Sequence, residues 1–202
     1  MLNINTVIFD LGRVLVSIDA RGEKFGRLMQ SVGIPPEDAF EKFWYLSEVR
    51  QHMTGEIDSR EFYQHAVDRF NLSFSYDDFA EGWCDLFHPI PAMKDLFHEI
   101  AARYRVGLLS DTDPLHWEKL CRMMPWLLEI ENPTLSFNVG YLKPHPKMFA
   151  AAAANCGRAK EECLFIDDRL ENVDGARYCG MPALHFTSPE KLRRDLTGLQ
   201  VL

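Results

Sequence analysis

The chain has 202 residues, a formal net charge of −8 and 47% hydrophobic residues, enough for one sizeable core and a modest accessory domain. A chain this acidic excludes broad nucleic-acid binding, and no apolar run reaches membrane-spanning length. An anionic substrate therefore needs locally concentrated positive charge, from lysine, arginine, a metal ion or a helix N-terminus.

The N-terminal segment has no basic stretch followed by a long apolar one, so a secretory signal is not expected. The cysteines (Cys84, Cys121, Cys156, Cys163, Cys179) are odd in number and widely spaced, and none forms a CxxC pair. Buried thiols in a reducing cytoplasm are the expectation.

In chain order, the run TVIFDL is short, apolar and rich in β-favouring residues, and it closes on Asp10 and Gly12. It predicts a fully buried strand of a parallel sheet. From about Ile18 to His88 the chain is rich in Phe, Trp, Glu and Arg and has no clear strand. Asp58 with Glu61 makes a capping-box-like helix start, and Ser75 with Asp78 a weaker one. Gly33-Ile34-Pro35-Pro36 and Thr54-Gly55 read as breaks, which leaves about four helices in a small bundle inserted after the first strand.

Beyond residue 90 strands and helices alternate. Ala92 to Arg103 carries Met93, Leu96, Phe97 and Ile100 at helical spacing. RVGLLS, Arg105 to Ser110, predicts a second buried strand ending at Asp111. Asp113-Pro114 offers an N-cap with proline at the first helical position. Thr134 to Val139 is a weaker strand candidate. Lys143-Pro144 is expected to open a helix through Ala150 to Ala154, stopped at Gly157. CLFI, Cys163 to Ile166, ends in Asp167-Asp168. A helix stop at Gly180, a last strand PALHF from Pro182 and a helix opened by Ser188-Pro189 complete the pattern. The alternation predicts an α/β fold with a parallel sheet.

Acidic or hydroxyl residues thus close three predicted strands: Asp10, Ser110-Asp111 and Asp167-Asp168. In an open parallel sheet those ends converge on one crevice, where ligands bind. A single Asp after a strand is as readily a turn former. Several carboxylates gathered in one crevice repel one another unless a cation lies between them. A hard divalent ion with oxygen ligands fits, and magnesium is the usual ion at phosphate-handling sites.

These motifs resemble those of the haloacid dehalogenase superfamily, in the family's order: VIFDLGRVLV with Asp10, LLSD with Ser110, YLKPHPKMF with Lys143, and LFIDDRLENVDGA with Asp167 and Asp168. The resemblance covers nearly the whole chain. It implies a Rossmann-like, doubly wound parallel-sheet core over residues 1–17 and 89–202, with an inserted α-helical cap domain over 18–88. It implies a magnesium-dependent phosphatase acting on a small phosphorylated substrate. Asp10 would be the nucleophile that forms an aspartyl-phosphate. Ser110, the backbone N–H of Asp111 and Lys143 would hold the phosphoryl group, since phosphoryl transfer needs mainly positioning and charge compensation. Mg2+ would be held by Asp10, the Gly12 carbonyl, Asp167 and Asp168. Asn172 resembles a position that steadies the metal shell, or is a helix-surface residue.

Most phosphatases of this family carry a second aspartate two residues after the nucleophile, as proton donor and acceptor. Here that position is Gly12. Proton transfer of this kind is worth ~10²–10⁴-fold in rate. A similar FDLG start and motif with adjacent aspartates occur in a bacterial subgroup that includes α-D-glucose-1-phosphate phosphatases, which points to a sugar phosphate. That subgroup usually has Asn where this chain has Arg13, which either touches substrate or is an exposed arginine. From the cap, Trp44, Tyr45, Arg50 and His52 are substrate candidates, although Trp and Tyr at helical spacing are more often core. His116 and Trp117 follow the second motif. His116 either replaces the missing acid or is a solvated helix residue.

A dehalogenase of the same superfamily lacks paired aspartates such as Asp167-Asp168. A phosphonate hydrolase needs a cap lysine, and Lys42 is the only lysine in the central part of the cap. A catalytically weak phospho-ligand-binding protein is motivated by Gly12. The expected protein is cytoplasmic, with no membrane or nucleic-acid partner. A monomer is compatible with the sequence, which leaves the oligomeric state open.

Overall fold

Thr6, Val7, Ile8 and Phe9 are all buried and form β1 (Thr6–Phe9), the middle strand of a five-stranded sheet. The structure is a computed structural model and describes residues 3–19 and 22–202. After β1 the chain forms β2 (Val16–Ile18) and then the helices α1 (Glu23–Gln30), α2 (Ala39–Trp44), α3 (Ser47–Met53), α4 (Ser59–Phe70) and α5 (Tyr76–Trp83). It returns through β3 (Phe87–Pro89), α6 (Pro91–Ala101), β4 (Arg105–Ser110) and α7 (Pro114–Met123). The remainder is β5 (Thr134–Leu135), α8 (Ser136–Val139), α9 (Pro146–Asn155), β6 (Cys163–Asp167), α10 (Leu170–Tyr178), β7 (Ala183–His185) and α11 (Pro189–Gly198).

The sheet order is β5-β4-β1-β6-β7, and every pairing is parallel. Both faces are covered, so side chains alternate between two cores along each strand. Val7, Phe9, Leu108, Leu164 and Ile166 pack with Met93, Leu96 and Phe97 of α6 and with Leu192 and Leu196 of α11. Ile8, Leu109, Cys163 and Phe165 pack on the other side with Met148, Phe149, Val173 and Ala176 of α9 and α10. This is the expected α/β architecture, doubly wound. The chain leaves β1 for β4 and β5 on one side, then crosses back to β6 and β7 on the other. The order reverses between β1 and β6, and ligands of open α/β sheets bind at such a reversal.

The inserted cap is helical and has its own core. Phe25, Phe43, Phe62, Phe79 and Trp83 are buried together, with Phe25 and Trp83 rings 5.8 Å apart. The Asp58–Glu61 capping box is present at the start of α4, and Ser75 caps α5. A two-stranded antiparallel ribbon, β2 with β3, forms the base of the insertion.

Several expectations change in detail. The stretch from Thr134 to Val139 is a strand for only two residues before it turns into α8. Lys143-Pro144 does not open a helix. The helix starts at Pro146, with His145 as its N-cap. Gly157 and Gly180 do stop α9 and α10, with φ of +63° and +84° that suit glycine. All five cysteines are free, but Cys121 and Cys179 are only partly buried. Among the described residues, no helix is long and apolar enough to cross a membrane.

Candidate active site

The register of the sheet builds the site. Phe9 lies level with Leu108 on one side and Ile166 on the other, so the residues that follow emerge side by side at the C-terminal rim. The Asp10 N–H donates to the Ile166 carbonyl at 2.8 Å, which fixes Asp10 at the mouth of the sheet. Asp10, Asp167 and Asp168 each place a carboxylate oxygen within 4.8 Å of the others.

Lys143 enters this acidic group from the loop before α9. Its Nζ donates to Asp10 Oδ1 at 2.6 Å, Asp167 Oδ2 at 2.8 Å and the Leu109 carbonyl at 3.3 Å. An ammonium has three hydrogens, and all three are used. The backbone is held as well: the Lys143 N–H donates to the Asp111 carboxylate at 2.9 Å. Asp111 was expected to offer its N–H to a phosphate, and its side chain proves to anchor the lysine loop. Asp167 accepts further bonds from the Arg169 N–H at 2.8 Å and from Asn172 Nδ2 at 3.1 Å. Asn172 is buried rather than on a helix surface, and its Oδ1 has no partner.

Burial dominates the electrostatics. It raises the Asp10 carboxyl to about 7 against the opposing pull of Lys143, and the charge of Asp167 adds to the rise. Burial also raises Asp111, and it raises Asp168, helped by neighbouring Asp167. For Lys143 burial would lower the pKa, but Asp10, Asp167 and Asp111 outweigh it and hold the ammonium charged. One lysine faces several carboxylates, so the site has an excess of negative charge that a cation would relieve. The donors are all oxygens, and the unpartnered Asn172 Oδ1 beside them is an acceptor for a hydrated ion. The residues present therefore fit magnesium.

A cleft of about 650 Å³ opens over this rim. Asp10, Gly12, Arg13, Asp111, Lys143 and Asp168 line its floor, and Trp44 and Arg50 line its cap side. An adjoining recess reaches Ser110, Thr112 and His116. The loop after Ser110 is braced by Ser136, whose Oγ accepts from the Thr112 N–H and donates to the Thr112 carbonyl, both at 2.9 Å. Trp44 and Tyr45 are 50% and 81% exposed, so neither is a core residue of the cap. Arg13 is exposed and has φ of +59°.

Other expectations are corrected. His52 is buried in the cap instead of presenting a polar tip to substrate. Trp117 packs against the main core beside the sheet, because its side of α7 meets that cluster. His116 is not solvated: it is buried, with Nδ1 2.9 Å from Asp113 Oδ2 and Nε2 3.0 Å from the Trp83 carbonyl. Both nitrogens are committed, which argues against its replacing the missing acid. Lys42 is exposed on α2 and is not among the residues lining the cleft. At Gly12 a Cβ would meet Ile18 Cδ1 at 3.0 Å, so an apolar methyl borders the place where the family's second aspartate usually starts.

Sequence reasoning missed the carboxylate role of Asp111, the Ser136 brace and the Asp113–His116 pair. Only Asp113-Pro114 left a signal, as a helix cap. The partners of the others come from distant elements.

A parallel sheet with acidic residues and a buried lysine at one rim defines a hydrolase core with a helical lid. A sequence model described as haloacid dehalogenase-like hydrolase matches residues 4–180, and the chain belongs to that family. Among curated proteins it is similar to D-ribitol-5-phosphate phosphatase of Bacteroides thetaiotaomicron, 23% identical over 202 residues, covering 96% of this chain and 97% of that one. A glyceraldehyde 3-phosphate phosphatase of Pyrococcus abyssi is 36% identical over 89 residues, covering 41% of this chain and 35% of that protein. Among solved structures, a HAD family enzyme from Bacteroides thetaiotaomicron in complex with magnesium and inorganic phosphate superposes with a TM-score of 0.80. It is 27% identical, and the match covers 91% of this chain and 94% of that one.

Proposed function

We propose that this chain is a magnesium-dependent phosphatase that hydrolyses a small phosphomonoester, of the sugar-phosphate kind, through an aspartyl-phosphate on Asp10. The observation that carries the proposal is the constellation of buried Asp10, Lys143 and Asp167 with half-buried Asp168 at one sheet rim. The names of the similar phosphatases, for D-ribitol-5-phosphate and glyceraldehyde 3-phosphate, support a phosphorylated polyol or sugar.

In this reading an Asp10 oxygen attacks phosphorus in line, the bond to the leaving oxygen breaks, and an acyl phosphate forms. Water then attacks phosphorus, which releases inorganic phosphate and restores the carboxylate. Lys143 holds positive charge beside the phosphoryl oxygens and fixes the Asp10 rotamer. Ser110 and the Asp111 N–H donate to those oxygens. Asp10, the Gly12 carbonyl, Asp167 and Asp168 would hold magnesium, with Asn172 steadying Asp167. The bound ion would supply charge neutralisation as the phosphoryl group transfers. Trp44, Arg50 and Arg13 line the cleft where the leaving group would lie, and closure of the cap over a bound substrate would exclude water.

The test is a panel of sugar phosphates assayed with magnesium and then with a chelator. The expected outcome is turnover that chelation abolishes and magnesium restores. Chelator-insensitive turnover defeats the metal dependence, and binding of phosphate analogues with no turnover on any monoester identifies a binding protein. Gly12 favours that second reading, because no side chain there supplies the leaving oxygen with a proton.

A further inference from the structure

A second buried polar cluster lies where the cap meets the core, away from the carboxylate rim. At its centre is Asp113, the N-cap of α7, whose side chain is 1% exposed. Its Oδ1 accepts the His116 N–H at 2.9 Å. Its Oδ2 accepts from Trp83 Nε1 at 3.1 Å and lies 2.9 Å from His116 Nδ1. His116 Nε2 in turn points at the Trp83 carbonyl, 3.0 Å away. Both ring nitrogens of His116 therefore face acceptors, a carboxylate on one side and a carbonyl on the other.

Trp83 is the last residue of α5 and is wholly buried. Its carbonyl belongs to the final turn, where helix carbonyls lack intrahelical partners and the helix dipole favours a cationic donor. The core therefore grips one cap residue at both ends, through its indole N–H and through its backbone oxygen. The two rings also stack, with centroids 5.2 Å apart and planes 11° apart. Phe87, in the ribbon at the cap base, meets the His116 ring edge-on at 4.9 Å. From α3, His52 Nδ1 lies 4.0 Å from Asp113 Oδ2 and has no hydrogen-bond partner, while its Nε2 pairs with Ser59 Oγ at 2.9 Å.

A buried carboxylate is costly unless it is paired and hydrogen-bonded. Burial alone would raise the Asp113 carboxyl, but the charge and hydrogen bonds of His116 outweigh it and hold the group well below the usual carboxylate range. Apolar residues would join two domains without that cost. Directional bonds add a single register, which a greasy contact does not impose. The loop from Ser110 to Asp113 links this cluster directly to the proposed phosphate site.

We propose that Asp113 and His116 are positioning residues that hold Trp83, and with it the cap, in one register over Ser110 and Asp10, and thereby set which leaving groups the cleft accepts. The proposal rests on the phosphatase reading, because the leaving group is what the cap meets.

The test uses the full-length protein with Trp83→Phe, which keeps an aromatic ring and removes the indole N–H together with part of the ring volume, and with His116→Ala. Two readouts are taken. The first is kcat and KM on acetyl phosphate, whose leaving group is too short to meet the cap, and on a five-carbon sugar phosphate. The expected result is a fall of about fivefold in the sugar-phosphate to acetyl-phosphate ratio of kcat/KM, carried by KM, in line with loss of one buried hydrogen bond. The second is hydrogen–deuterium exchange, expected to rise in α3 and α5 and to stay at wild-type level in β1, β4 and β6. Equal loss on both substrates in proportion to the folded fraction, or wild-type ratio and exchange in a folded variant, overturns the proposal. If the protein hydrolyses neither compound, the phosphatase reading fails and exchange alone decides the latch: a local rise upholds it, and wild-type exchange overturns it.

Discussion

The two walls of the cleft are held in opposite ways. On the core wall, the side chains of Lys143 and Asp167 are 2% and 0% exposed, and all three ammonium hydrogens have acceptors. On the cap wall, Trp44 is 50% exposed and Arg50 lies in the open. Charge buried in a protein is tolerated only when it is compensated, so the core wall is rigid and arranged before substrate arrives. The exposed Trp44 and Arg50 carry no such obligation, so these side chains are free to adjust to the leaving group. In the proposed reading, chemistry belongs to the first wall and selectivity to the second.

That contrast can be broken at either wall. The largest effect is expected for Asp10→Asn, which should lower kcat by roughly 10³-fold or more while circular dichroism stays native. Near-normal rates would remove Asp10 from the nucleophile role. Next is Lys143→Met, which leaves the acidic group uncompensated. In chelator it should cost about 3–5 kcal/mol of stability by urea unfolding, and an unchanged midpoint would contradict the core-wall argument.

Asp113→Asn should cost about 2 kcal/mol at neutral pH, because a hydrogen-bonded buried charge is lost. The native carboxyl is held below its unfolded value, so its contribution is complete above that value and disappears as pH falls beneath it. The stability gap between wild type and variant should therefore shrink below about pH 4. A gap that widens on acidification would refute the assignment of charge. The smallest effect is expected at the cap wall: Trp44→Ala should raise KM about three- to tenfold on a sugar phosphate, with kcat nearly constant. A drop in kcat with KM unchanged would move Trp44 into the chemistry.

The core wall was legible in the sequence because its physics is local. Strands buried on both faces read as unbroken apolar runs, and each run here stops at the residue that faces the crevice: Asp10, Ser110 and Asp167. Capping signals at Asp58 and Ser75 placed the cap helices for the same reason. Features that depend on distant partners were not readable. The β2–β3 ribbon has three residues per strand and joins positions 71 apart, as in Ser17 opposite His88. The apolar run after Thr134 carries no period that separates a strand from a helical turn. His116 reads as an ordinary helix residue until Trp83 and Asp113 are brought around it. Trp44 and Tyr45 read as substrate candidates weighed against the commoner core role of aromatic residues, and only the fold decides, leaving both exposed and Trp44 in the cleft wall.

The most direct measurement is to mix the enzyme with substrate and magnesium, quench within milliseconds, reduce with tritiated borohydride and map the labelled peptide. The account requires the tritium at position 10, where the acyl phosphate of Asp10 is reduced to the alcohol with release of phosphate, in the peptide that contains VIFDLG. Turnover with the mark on another residue, or with no covalent intermediate at any quench time, would contradict it.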